Sequence, residues 1–110
     1  MQGVETTDVF AAWLESLADR RLTAAVNARI TRLRTGNAGD SKLVGGGVTE
    51  MRIDFGPGYR IYFGRDGDRL VILLAGGTKR RQDDDIAEAK DRWSNYKARK
   101  ARARKEEGDA

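Results

Sequence analysis

The hydrophobic period of this chain changes from helical to strand-like near residue 40, and that change limits the fold more than any other feature. Before it, apolar residues recur every three to four positions: Phe10, Trp13, Leu14 and Leu17, then Leu22, Val26, Ile30 and Leu33. Such spacing puts each set on one stripe of a helix. Thr6, Thr7 and Asp8 precede the first stripe and supply an N-cap. The run pauses at Ala18-Asp19. Gly36 closes the second helix, and Asn37-Ala38-Gly39-Asp40 has the chemistry of a turn. Two helices joined this tightly form a helical hairpin.

After the change the period is two. Between Val48 and Phe55, the apolar Met51, Ile53 and Phe55 alternate with Glu50, Arg52 and Asp54, which predicts a strand with one buried and one open face. Gly56-Pro57-Gly58 turns the chain into a second strand, Tyr59 to Gly64, with Ile61 and Phe63 on one face and Arg60 and Tyr62 on the other. Asp66-Gly67 signals a tight hairpin. The continuous apolar run Leu70 to Ala75 predicts a central strand covered on both sides, ended by Gly76-Gly77. A last helix is expected from Gln82 or Asp83, with Asp83, Asp84 and Asp85 in its first turn, where the helix dipole favours them. Its apolar face is Ile86, Ala89, Trp93 and Tyr96, and Gly3 to Thr6 fits an added edge strand. The expected order is β-α-α-β-β-β-α. This is an α+β layer fold, with helices packed on one face of a small, mostly antiparallel sheet.

One domain accounts for the whole length of 110 residues. No stretch approaches the ~20 apolar residues of a membrane span. The opening MQGVETTDVF lacks the basic start and apolar run of a secretion signal, so a cytoplasmic protein is expected. Cysteine and histidine are both absent. That excludes disulfides, thiolate nucleophiles, Ser-His-Asp and Cys-His catalysis, and nearly every zinc enzyme. Chemistry is left to Arg, Lys, Tyr, carboxylates and backbone groups, with no cofactor or metal expected. Gly45-Gly46-Gly47 and Gly56-Pro57-Gly58 lack the strand-loop-helix context of a dinucleotide fingerprint. Asp83, Asp84 and Asp85, consecutive on a helix, point in three directions.

The formal charge of +4 is uneven. Residues 97–110 hold six basic and three acidic side chains, net +3, whereas residues 1–96 hold fifteen and fourteen, net +1. The division is therefore a domain over 1–96 and a basic tail over 97–110, either a helical extension or disordered. Local basic runs (Arg20, Arg21, Arg29, Arg32 and Arg34, then Lys79, Arg80 and Arg81) suit a polyanion.

Strand parity makes a sharper statement. Met51, Ile53, Ile61 and Phe63 share the core face, so Arg52, Arg60 and Tyr62 share the opposite one. The loop after the apolar strand brings Lys79, Arg80 and Arg81 to the end of the same sheet. Guanidinium forks match phosphate oxygens, and a phenol stacks on a base or positions a hydroxyl. These are the parts required for attack of a ribose 2′-hydroxyl on the adjacent phosphorus without a metal. Glu50 and Asp54 lie within reach of the same arginines and offer the plainer role of ion-pair partners.

The string from Gly47 to Lys90 resembles the RelE/ParE toxin superfamily, in particular its HigB-like branch. The matching pieces are Glu50-Met51-Arg52-Ile53, Gly58-Tyr59-Arg60-Ile61-Tyr62-Phe63, and Gly76-Gly77-Thr78-Lys79 followed by Gln82-Asp83-x-Asp85-Ile86. Phe10-x-x-Trp13-Leu14-x-x-Leu17 and Ile30-x-x-Leu33-x-x-Gly36-Asn37 also fit, so the resemblance spans about residues 4–95. It implies a RelE-like fold and a type II toxin. Such a toxin is a ribosome-dependent endoribonuclease that cuts messenger RNA by metal-independent 2′-hydroxyl attack. Its implied partners are a cognate antitoxin, the ribosome and mRNA, with operator DNA met only through the antitoxin complex. It also implies that Arg52, Arg60, Lys79 and Tyr62 are catalytic and that Arg80, Arg81, Gln82 and Asp83 bind RNA. An arginine is a poor general base because a guanidinium holds its proton tightly. That leaves Lys79, an acid such as Glu50 or Asp83, or orientation of the 2′-hydroxyl alone. The alternative within the superfamily is a ParE-type inhibitor of DNA gyrase, which binds protein and cuts nothing.

Overall fold

The computed structural model describes residues 2–108. A short strand β1 (Gly3–Thr6) leads into helices α1 (Asp8–Glu15) and α2 (Arg20–Arg34). Strands β2 (Ser41–Gly45), β3 (Val48–Ile53), β4 (Tyr59–Asp66) and β5 (Leu70–Thr78) follow. A single 3₁₀ turn (Lys79–Arg81) then opens into the long helix α3 (Gln82–Gly108). The five strands form one mixed sheet in the order β1-β5-β4-β3-β2. The β1–β5 pair is parallel and the others are antiparallel.

The first cap falls where the sequence placed it, and Asp19, read there only as a pause, caps the second helix. The Thr7 hydroxyl accepts from the Phe10 amide at 3.2 Å, and the Asp19 carboxylate accepts from the Arg21 amide at 2.8 Å. Phe10 of α1 and Leu22, Val26, Ile30 and Leu33 of α2 pack against Met51, Ile53, Ile61 and Phe63, as parity requires. The opposite face has its own core, in which Val48, Tyr62, Ile72, Leu74 and Ala75 meet Ala89 and Trp93 of α3. The helices therefore sandwich the sheet instead of sharing one face. The continuous apolar run of β5 is explained by this double cover.

Two expectations about the elements change. β2, an extra strand, pairs with β3 at the sheet edge through a register irregularity between Leu43 and Gly45. It buries no full stripe, and Leu43 is 78% exposed, so no alternation marked it in the sequence. Gly76 and Gly77 do not end β5, which runs to Thr78. They are glycines because a side chain has no room there. A Cβ at Gly76 would lie 2.3 Å from the Trp13 ring, and one at Gly77 would lie 2.0 Å from an Asp85 carboxylate oxygen. Of the two forms left open for the basic tail, the structure has the helical extension, which runs through Gly108.

Gly64 of β4 is under the same constraint from α3, with a Cβ falling 2.6 Å from the Trp93 indole. Gly64→Ala is therefore expected to destabilise the domain by about 1–3 kcal/mol through overpacking. A lowered urea midpoint at unchanged slope would show it. An unchanged midpoint would mean that α3 does not seat tightly on this face.

The helical extension is tied down at one point. Asp66, at the end of β4, accepts a hydrogen bond from the Tyr96 hydroxyl at 2.8 Å and an ion pair from Lys100. These bonds, Lys100 first, hold the Asp66 carboxyl below its ordinary range. Burial and then Asp66 push the Tyr96 hydroxyl up to about 12. The tie is accordingly complete between the two titrations. It weakens as acid protonates Asp66 below the ordinary carboxylate range. It weakens again as base removes the Tyr96 proton, from the ordinary phenol value of about 10 through the shifted one. Asp66→Asn should raise amide exchange in α3 beyond Tyr96 while leaving the Ala89–Trp93 turn protected. Equal protection in both proteins would remove Asp66 as the anchor.

Candidate active site

Arg52 of β3 and Arg60 of β4 are direct cross-strand partners, on the sheet face away from α1 and α2. Two like charges so placed repel unless a counter-charge joins them. Glu50, two residues before Arg52 and so on the same face, is that counter-charge. Its carboxylate is 0% exposed. One oxygen lies 3.5 Å from Arg52 Nε and 3.6 Å from Arg60 Nε, and the other accepts from Gln82 Nε2 at 2.8 Å. A buried carboxylate with this set of partners is compensated on both oxygens. The Gln82 bond also links the start of α3 to the sheet.

The third cation arrives from the other side of the Gly56-Pro57-Gly58 turn. Gly56 and Gly58 take positive φ values of 53° and 93°, which glycine alone adopts freely. The Gly58 carbonyl accepts from the Lys79 amide at 3.2 Å. Arg60 and Lys79 thereby flank the turn, and with Arg52 they line one open cleft of about 320 Å³. Asp40 and Asp54 line the same cleft. The Arg52 side chain is 38% exposed and that of Arg60 is 11% exposed. Arg60 is thus mostly enclosed, held from behind by Glu50, where parity alone placed it on an open surface.

Tyr62 is not in the cleft. It shares the face of Arg60, but α3 covers that part of the sheet and the ring is fully buried beside Ala89 and Trp93. Its hydroxyl has no hydrogen-bond partner among the described residues. Burial, and then the nearby Glu50 and Asp85 charges, push it above the ordinary phenol range. Asp85 is also buried over Gly77, and its carboxyl is raised chiefly by burial. The sequence reading, which gave Asp85 only a dipole role, missed this.

Arg80, Arg81, Gln82 and Asp83 line a second cleft of about 310 Å³ that shares Lys79 with the first. Of the residues left open as a proton acceptor, Lys79 and Asp83 are exposed, whereas Glu50 is locked behind both arginines. Arg29, counted in a basic surface run, instead turns inward. It donates to the Arg52 carbonyl and, at 2.8 Å, to that of Ala38, pinning β3 to the loop after α2. Among the described residues no group of three carboxylates is placed to hold a metal ion.

Chemically, the cleft presents two guanidinium planes and an ammonium around a space open to solvent. Such a set of donors suits an oxyanion with several acceptor oxygens, with the Asp40 and Asp54 carboxylates beside it in the same cleft. No family model matches the sequence. An uncharacterized protein of Haemophilus influenzae is 51% identical over 87 residues, which are 79% of this chain and 88% of that protein.

Proposed function

We propose that this chain, which belongs to the same family as the Haemophilus influenzae protein, is a RelE-like toxin of the HigB-like branch that cuts messenger RNA on the ribosome. The observation that carries the reading is the convergence of Arg52, Arg60 and Lys79 on one open cleft. The sheet order, with the helical hairpin on one face and α3 on the other, is compatible with the resemblance.

In this reading the scissile phosphate sits against Arg60, the most enclosed of the three cations. The 2′-hydroxyl of the preceding ribose attacks phosphorus. The new 2′-O–P bond forms as the P–O5′ bond breaks, leaving a 2′,3′-cyclic phosphate and a 5′-hydroxyl. Arg52 and Arg60 neutralise the charge that grows on the non-bridging oxygens. Glu50 fixes the direction of both guanidiniums, so little reorganisation accompanies the reaction. The proton of the 2′-hydroxyl leaves to water in the open cleft, and Lys79, exposed beside it, gives a proton to the departing O5′. Arg80, Arg81, Gln82 and Asp83 follow the strand into the second cleft. Tyr62, catalytic by resemblance, is left outside the chemistry in this reading, because α3 buries it away from the cleft. A cognate antitoxin is the partner that keeps the activity in check, and operator DNA is met only through that complex. No helix among the described residues is long and apolar enough to cross a membrane, and the site of action is the cytoplasm.

The test is induced expression followed by mapping of RNA 5′ ends. New ends at preferred codons within translated messages are expected. Intact RNA together with a DNA-damage response would instead identify a gyrase-directed protein and overturn the nuclease reading.

A further inference from the structure

The flank of α3 that faces α1 carries a second charged surface, at the β1 edge of the sheet. Arg92, Asn95, Arg99 and Arg102 line a groove of about 430 Å³ whose other wall is Thr7, Asp8 and Val9 at the start of α1. Arg92 is held by Glu88 at 3.5 Å, but Arg99 and Arg102 form no ion pair among the described residues. The opposite flank behaves differently, since its Lys100 is tied to Asp66. Val9 is 40% exposed, and besides Leu43 it is the large apolar side chain left open among the described residues.

We propose that this groove docks an acidic segment of a partner polypeptide. Charge complementarity selects the sign: three guanidiniums on one side of a helix favour carboxylates. The opposite wall selects peptide over nucleic acid. The Asp8 carboxylate repels a phosphate backbone but accepts from peptide N–H groups, and Val9 gives an apolar side chain something to cover. From Arg92 to Arg102 the helix rises about 15 Å, the reach of four to five extended residues. The proposal does not rest on the nuclease reading, because none of these residues lines the Arg60 cleft.

The experiment pans a random twelve-residue peptide library against the full chain. The enriched peptides are then measured by fluorescence anisotropy beside a twelve-nucleotide single-stranded RNA. Enriched peptides should carry several carboxylates and at least one apolar residue. The combined variant Arg92→Gln, Arg99→Gln, Arg102→Gln should weaken them about tenfold or more, as expected for three partly exposed pairs. Val9→Asp should weaken them as well. Lys97→Gln with Arg104→Gln, which removes charge from the other flank, should leave binding within about twofold. Circular dichroism melts confirm that each variant is folded. Peptides without an acidic bias overturn the proposal, as does equal loss with either set of charges removed. So does RNA that binds wild type more tightly than any selected peptide and weakens with the same three arginines.

Discussion

Arg60→Ala is expected to slow RNA cleavage by about 10²–10³, the usual cost of losing a preorganised transition-state donor. Arg60 lines the cleft across the ladder from Arg52, and its side chain is mostly enclosed, so in the proposed reading its guanidinium is held in place before the phosphate arrives. Alanine also leaves Glu50 with one guanidinium fewer, so some loss of stability accompanies the loss of rate. Arg60→Lys separates the two effects. It keeps a cation near Glu50 but not the planar fork that spans two phosphate oxygens. It should therefore melt close to the parent and still cleave slowly. A folded Arg60→Lys or Arg60→Ala protein that cleaves at the parent rate would remove Arg60 from the site.

The largest effect on stability is expected at Glu50. Its carboxylate is fully buried and is the counter-charge shared by Arg52 and Arg60. Glu50→Ala leaves a mostly buried guanidinium unpaired, directly across the ladder from a second one, and takes the acceptor from Gln82. Breaking a buried pair in this way costs about 3–5 kcal/mol. For a domain of this size that corresponds to a melting temperature lower by roughly 10 °C or more. Glu50→Gln keeps the volume and an acceptor for Gln82, so it should fall between the two. A Glu50→Ala protein that melts within a degree or two of the parent would show that the arginines do not depend on this carboxylate.

Both residues were visible in the sequence because strand parity is local. Positions 50, 52, 60 and 62 had to share a face once the core face was assigned to Met51, Ile53, Ile61 and Phe63. The α2 stripe and the α1 N-cap were legible for the same reason: their period and hydrogen bond span only a few residues. What covers a face is not local. The route of α3 across the sheet is set by where Trp93 finds room over Gly47 and Gly64, and the sequence shows those glycines without showing the ring. Tyr62 consequently looked open and is buried. Gly76 and Gly77 looked like a stop signal, although they are clearances for Trp13 and Asp85. Lys79 was placed near the cleft by chain order alone. The Gln82 bond to Glu50 bridges 32 positions and left no local trace.

The end groups of the RNA fragments test the central claim most directly. If the Arg52–Arg60–Lys79 cleft promotes attack by the neighbouring 2′-hydroxyl, upstream fragments must end in a 2′,3′-cyclic phosphate or its opened 3′-phosphate. Downstream fragments must then begin with a 5′-hydroxyl, and neither species should accumulate when Arg60→Ala is expressed at the same level. Fragments that carry a 5′-phosphate and a 3′-hydroxyl, or the same fragments from the Arg60→Ala protein, would contradict it.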